Sequence, residues 1–219
     1  MTKSIRVFAP ATVANVACGF DILGFALESP GDEVIMRATS TPKITIAKIT
    51  GDNQKLPLDP EKNTVSVPVL KLLKHLKSKQ GFEIELHKKI PFSGGMGSSA
   101  ASAVAGVFAA NELLGRPLST LELIPFAMEG ERVACGSAPA DNVAPSLLGG
   151  FVIVRSYDPL DAIKISSPDL YCVVVHPDLE VRTADARKIL KPEIPLSTAV
   201  QQWGNVAGLI AGLLNSDYD

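Results

Sequence analysis

The chain is poor in the residues and patterns that mark several common protein classes. Its cysteines, Cys18, Cys135 and Cys172, are odd in number and far apart, which argues against a disulfide framework or a CxxC metal site and leaves reduced thiols as the expectation. His75, His87 and His176 are equally scattered, none at ligand spacing from another His or Cys, so each is assigned to structure or surface. No uninterrupted apolar run reaches the ~18 residues of a membrane span, and the start, Met1-Thr2-Lys3-Ser4-Ile5-Arg6-Val7-Phe8, shows no secretory signal. A cytoplasmic protein with no membrane partner is expected. A formal net charge of -2 supplies no basic field for a nucleic-acid backbone.

What is present is an ordinary globular composition. The 219 residues are 46% hydrophobic, enough to bury a sizeable core, and a small-molecule partner is the expectation that remains. Strand-like and helix-like segments alternate without internal repeats, which predicts a mixed α+β architecture. Strands are expected at Ile5–Phe8, Glu33–Arg37, Ile44–Ile49, Phe82–Leu86, Phe151–Arg155 and Tyr171–His176. Helical spacing runs from Val65 to Leu76, with Pro68 in the first turn and Gly81 as the stop. A nearly charge-free, Ala-rich helix is expected from Ser98 to Leu114, ending at Gly115. The capping-box pattern Ser119-Thr120-Leu121-Glu122 opens another, to about Ala134. Two more are expected at Thr183–Leu190 and Ala199–Leu214.

The informative segment joins a strand to the Ala-rich helix: Pro91-Phe92-Ser93-Gly94-Gly95-Met96-Gly97-Ser98-Ser99-Ala100-Ala101-Ser102. Its glycines allow positive φ and close approach to a ligand, so backbone N–H groups can converge on an anion. The helix that follows adds unsatisfied N–H groups and its positive dipole end. Adjacent hydroxyls suit phosphate oxygens or Mg²⁺. A Walker A loop needs Lys after its last glycine, and a dinucleotide fingerprint needs GxGxxG; the segment is neither. A tight turn before a buried helix is the plain alternative.

This block resembles the second motif of the GHMP kinases, with Met96 for the usual Leu, a volume-conserving exchange. The resemblance implies ATP and Mg²⁺ as cofactors and a GHMP kinase fold. That fold has a left-handed βαβ crossover, an N-terminal domain similar to domain 2 of ribosomal protein S5, and a ferredoxin-like C-terminal domain. Residues 1–165 would form the ATP-binding domain and 166–219 the start of the second. Pro91, Ser93, Gly94, Gly95, Met96, Gly97, Ser98, Ser99 and Ser102 are the implied nucleotide contacts, with Asn63 and Val65 bordering the adenine. Ser99 and Glu131 are the implied Mg²⁺ ligands, with Glu129 facing elsewhere on the same helix.

Two further blocks narrow the reading within that family. Ala9 to Gly24 offers Asn15 and Asp21 among glycines, suited to a small polar substrate, although Asp21 also reads as a turn-capping residue. Glu131 to Gly150 contains Asp141-Asn142 before a short apolar turn and two glycines, a ligand-presenting loop or an Asx-turn. Both resemble homoserine kinase motifs. The resemblance implies L-homoserine as substrate, Asn142 near its hydroxyl, Asp21 holding its ammonium and Asp141 and Asn15 nearby. Arg187, otherwise a solvated helix arginine, would hold its carboxylate and neutralise the transferring phosphoryl. Asn142 and Arg187 are thus the catalytic candidates, and no general base is named. A homodimer is a family expectation. One position departs: Pro139 stands where homoserine kinases usually carry His. The family's third glycine-rich motif is also missing before Asp219, so a truncated chain is expected. A GHMP kinase for another alcohol and a non-catalytic ligand sensor are the alternatives.

Overall fold

The computed structural model describes residues 3–91, 95–136, 139–167, 169–175 and 183–217. Six strands form one sheet. They are β1 (Ser4–Ala14), β2 (Leu23–Thr39), β3 (Ile44–Thr50), β4 (Gly81–His87), β5 (Phe151–Tyr157) and β6 (Leu160–Ile165), in the order β3-β4-β2-β5-β6 with β1 also on β2. The helices are α1 (Val67–His75), α2 (Ser98–Leu113), α3 (Thr120–Cys135), α4 (Val143–Leu148), α5 (Thr183–Lys188) and α6 (Leu196–Asn215).

β2 is the spine. It runs antiparallel to β1 from Ser4↔Arg37 to Pro10↔Gly31, shifts register, and resumes from Thr12↔Ala26 to Ala14↔Gly24. Its far half also pairs with β4 and its near end with β5. β3 and β4 are parallel, so α1 is the crossover between them. Along β2 and β4, alternate residues Val34 and Met36, and Phe82, Ile84 and Leu86, are buried, as period-two patterning requires.

α2 lies against β1 and β2, flanked by α1, α3 and α4. Buried on nearly every side, it uses small residues to allow close packing: a Cβ on Gly106 would lie 2.0 Å from the Val65 carbonyl oxygen. α3 starts at the expected capping box, where the Ser119 hydroxyl accepts from Glu122 N–H and the Glu122 carboxylate accepts from Ser119 N–H. A second apolar cluster, Leu23, Phe151, Ile165 and Leu213, docks the C-terminal part of α6 against β2 and β5.

The structure corrects several expectations. Gly81 does not stop the α1 helix: the helix ends at His75, Lys77 takes the left-handed position (φ 51°), and Gly81 opens β4. A Cβ on Gly81 would lie 1.7 Å from the Thr41 carbonyl oxygen, so its smallness serves strand packing instead. The strand expected at Tyr171–His176 is not formed over Tyr171–Val175, and His176 lies outside the described residues. Alternating β-formers supply propensity, but a strand needs a partner ladder, and Tyr171 to Val175 have none among the described residues. β2 starts ten residues before Glu33 because Pro30 and Gly31 fall at the register shift rather than ending the strand. β6, short and carrying Asp161 and Lys164, escaped the pattern, and the apolar turn after Asn142 is the helix α4.

Candidate active site

The glycine loop is tied to the sheet at its helix end. Met96 packs its side chain into the main core, and its carbonyl accepts from Thr12 N–H at 3.1 Å. Gly95 and Gly97 both have left-handed backbone (φ 68° and 62°). At Gly97 no side chain fits: a Cβ would lie 2.1 Å from Thr12 Oγ1 and 2.8 Å from Asn142 Oδ1. Those two atoms are themselves hydrogen-bonded at 2.7 Å, Thr12 donating. Three stretches distant in sequence, β1, the loop and the start of α4, therefore meet at one glycine. α2 begins there without a side-chain cap, leaving its first-turn N–H groups directed at the loop. Pro91 is exposed at the entrance; Ser93 and Gly94 lie outside the described residues.

Beneath the loop lies a buried cluster that the motif comparison missed. Asp32 on β2 and Lys88 after β4 form an ion pair with side chains 0% and 2% exposed. Asp32 Oδ1 accepts from the N–H groups of Lys89 (2.9 Å) and Ile90 (3.2 Å). Lys88 Nζ donates to the Ser98 carbonyl (2.7 Å) and the Ser102 hydroxyl (2.8 Å). Burial lowers the Lys88 pKa, and the Asp32 charge opposes that fall. The pair thus holds the strand entering the loop and the helix leaving it. Ser102, expected among the nucleotide contacts, is fully buried in this cluster, where its hydroxyl also reaches Asp32 Oδ2 at 3.0 Å. Its position next to Lys88 and Asp32 removes it from the loop's open face.

Ser99 and Glu131 are brought together. The Ser99 hydroxyl hydrogen-bonds the Glu131 carboxyl, whose pKa burial raises while Ser99 opposes the rise. Glu129 faces away, paired with Lys71 and Arg132 at 3.4 and 3.2 Å. Asn63 and Val65 are turned inward. Asn63 accepts from Val65 N–H (3.0 Å) and donates to the Pro57 carbonyl (2.7 Å), and the Val65 side chain is fully buried. Both side chains go into building the turn before α1.

At the other end, Asn15 and Asp21 both have left-handed backbone (φ 57° and 59°), and Asn15 Oδ1 accepts from Asp21 N–H at 2.9 Å. Asp21 is not a helix cap. Its carboxylate takes both arms of the Arg187 guanidinium, at 2.9 and 2.6 Å, and Arg187 also lies 5.5 Å from the centre of the Phe20 ring. Asp141 lies nearby, 1% exposed, with its backbone oxygen where a Cβ on Gly24 would be 1.9 Å away. Neither of its carboxylate oxygens makes a well-aligned hydrogen bond among the described residues, although its own and Asn142's backbone amides lie against it. Burial, reinforced by the Asp21 charge, pushes its pKa up to about 6, against the weaker pull of its own and Asn142's amides and of Arg187.

Comparison with known proteins follows the same lines. The family model for the GHMP kinases N terminal domain matches residues 63–150. The homoserine kinase of Chloroherpeton thalassium is 58% identical, over 99% of this chain and 72% of that protein. The chain belongs to the homoserine kinase family. Within that family, the homoserine kinase of Chlorobaculum tepidum is 54% identical over 99% of this chain and 70% of its own length. The crystal structure of homoserine kinase from Cytophaga hutchinsonii superposes with a TM-score of 0.90 at 58% identity, covering 99% of this chain and 69% of that one. Mevalonate kinase of Methanococcus jannaschii shares the fold alone, with a TM-score of 0.59 at 17% identity, over 75% of this chain and 56% of its own. The architecture is the GHMP kinase fold, α+β in class.

Proposed function

We propose that this chain is an ATP-dependent homoserine kinase, transferring the γ-phosphoryl group to the side-chain hydroxyl of L-homoserine to give O-phospho-L-homoserine in threonine biosynthesis. In this reading the loop amides around Gly95 to Ser98 bind the phosphates and hold the nucleotide in line with the acceptor. Residues 1–165 carry ATP and residues 166–219 begin the second domain. Asp21 receives the ammonium of homoserine and Arg187 its carboxylate. Asn15 keeps Asp21 in place, and Asp141 adds negative charge beside the ammonium.

Asn142 has its side-chain oxygen committed to Thr12, which leaves its NH₂ end to donate to the acceptor oxygen. The acceptor oxygen forms a bond to phosphorus as the bond from phosphorus to the β-phosphate's bridging oxygen breaks, and the hydroxyl proton passes to a phosphoryl oxygen or to water. Positioning and charge neutralisation carry this step, with no dedicated base. The Ser99 hydroxyl and the Glu131 carboxyl fit Mg²⁺, a hard cation that commonly combines one or two protein oxygens with substrate phosphates. When bound, Mg²⁺ supplies charge neutralisation on the phosphate oxygens.

The observation that carries the reading is the facing pair of opposite charges, Asp21 and Arg187, next to the Asp141-Asn142 turn. An amino acid with a terminal hydroxyl needs one charge of each sign and a donor for its oxygen. ADP release with homoserine, mevalonate and galactose offered in turn tests it. Release with homoserine alone is expected; nucleotide binding without homoserine-dependent ADP overturns the proposal.

A further inference from the structure

Tyr157, the last residue of β5, places its hydroxyl between the two halves of the acceptor end. It donates to the backbone carbonyl of Asp21 at 2.9 Å and accepts from Ala140 N–H at 3.1 Å. The residue is 43% exposed, so it is no core anchor. Asp21 holds left-handed backbone, which aspartate visits more readily than most residues but less readily than the right-handed region, so partners on its peptide groups help to fix it there. With Asn15 on its N–H and Tyr157 on its carbonyl, Asp21 is held at both peptide groups. Ala140 immediately precedes Asp141, so the same hydroxyl also pins the turn that presents Asp141 and Asn142.

We propose that Tyr157 is a positioning residue for the amino-acid substrate, its hydroxyl setting the spacing between Asp21 and the Asp141-Asn142 turn. This rests on the homoserine kinase reading. Phenylalanine fills the same space and makes neither hydrogen bond, so Tyr157→Phe isolates the hydroxyl. The KM for homoserine is expected to rise about 5- to 30-fold, the effect of losing two ordinary hydrogen bonds. The KM for ATP should stay within about twofold, because the hydroxyl touches neither the loop nor Ser99.

A role through Asp21 has a second signature. Once Asp21 has lost its charge, its exact placement matters less, so Tyr157→Phe should add little to the KM effect of Asp21→Asn. An unchanged homoserine KM, a parallel rise in both KM values with a lowered unfolding midpoint, or full additivity with Asp21→Asn overturns the proposal. A wild-type chain that releases no ADP with homoserine removes the kinase reading and the Tyr157 role together. An active wild type with an unaltered Tyr157→Phe variant removes only the latter.

Discussion

The Arg187 guanidinium grips the Asp21 carboxylate with both arms, Nη1 to Oδ2 at 2.9 Å and Nη2 to Oδ1 at 2.6 Å, joining α5 to the loop between β1 and β2. The side chains are 34% and 28% exposed, so water still reaches the pair and its strength is moderate. On the proposed reading, an entering zwitterion would replace each half of the pair with one of its own poles, whereas a ligand with a single charge would compensate one partner and strand the other. The pair would then act as a filter for amino acids.

Asp21→Asn tests this without disturbing the backbone, since asparagine tolerates the left-handed conformation. Loss of one charge-assisted contact predicts a homoserine KM about 10- to 100-fold higher. The ATP KM should be unchanged. Steady-state kinetics with each substrate varied in turn checks both.

Asp141 predicts an unusual pH dependence of stability. Its pKa rises from an ordinary 3.8 to about 6 in the folded state. Between those values the native chain holds a proton that the unfolded chain has released, so stability falls as pH rises through this window. The full loss, on the order of 2–3 kcal/mol, is present above about pH 6. Asp141→Asn should therefore be more stable than wild type at pH 7.5, with the advantage disappearing near pH 3.5. Urea unfolding of both proteins across that range measures it.

Much of this was legible in the sequence, for identifiable reasons. The loop from Pro91 to Ser102 was readable because glycines, hydroxyls and a helix start are local features. Asp21 and Arg187 each read as charges for a substrate, but their pairing is a tertiary fact that neither local pattern contains. Asp32 and Lys88 went unread although a signal was there. Asp32 shares the parity of buried Val34 and Met36, and Lys88 that of buried Phe82, Ile84 and Leu86. A charge on the buried face of a strand calls for an opposite charge on its neighbour. Tyr157 gave no such sign, since its role depends on two backbone groups brought to it by the fold.

Gly97 predicts a sharp intolerance. Alanine there must adopt φ near 62° and place its Cβ 2.1 Å from Thr12 Oγ1. The left-handed backbone alone costs about 1–2 kcal/mol, and the contact must also displace Thr12 or Asn142. Gly97→Ala should lower the unfolding midpoint by several degrees and reduce kcat with ATP and homoserine both saturating, because Asn142 moves with its partner. Gly115→Ala is the control: it too has positive φ (89°), but nothing lies within 4 Å of its Cβ position. It should lose stability and keep kcat.

The Asp32–Lys88 pair gives the strongest stability prediction. Both charges are removed from water, so their attraction chiefly offsets the cost of burying them. Lys88→Met leaves the Asp32 carboxylate buried without its cation and should cost about 3–5 kcal/mol in urea unfolding. Lys88→Met combined with Asp32→Asn removes both charges, and asparagine can still accept from Lys89 and Ile90. The double variant should recover most of that loss. Its ATP KM should remain above that of wild type, because the Lys88 bond to the Ser98 carbonyl, which sets the helix end of the loop, is gone. Recovery of stability with a wild-type ATP KM would show that the pair supports the fold and not the loop.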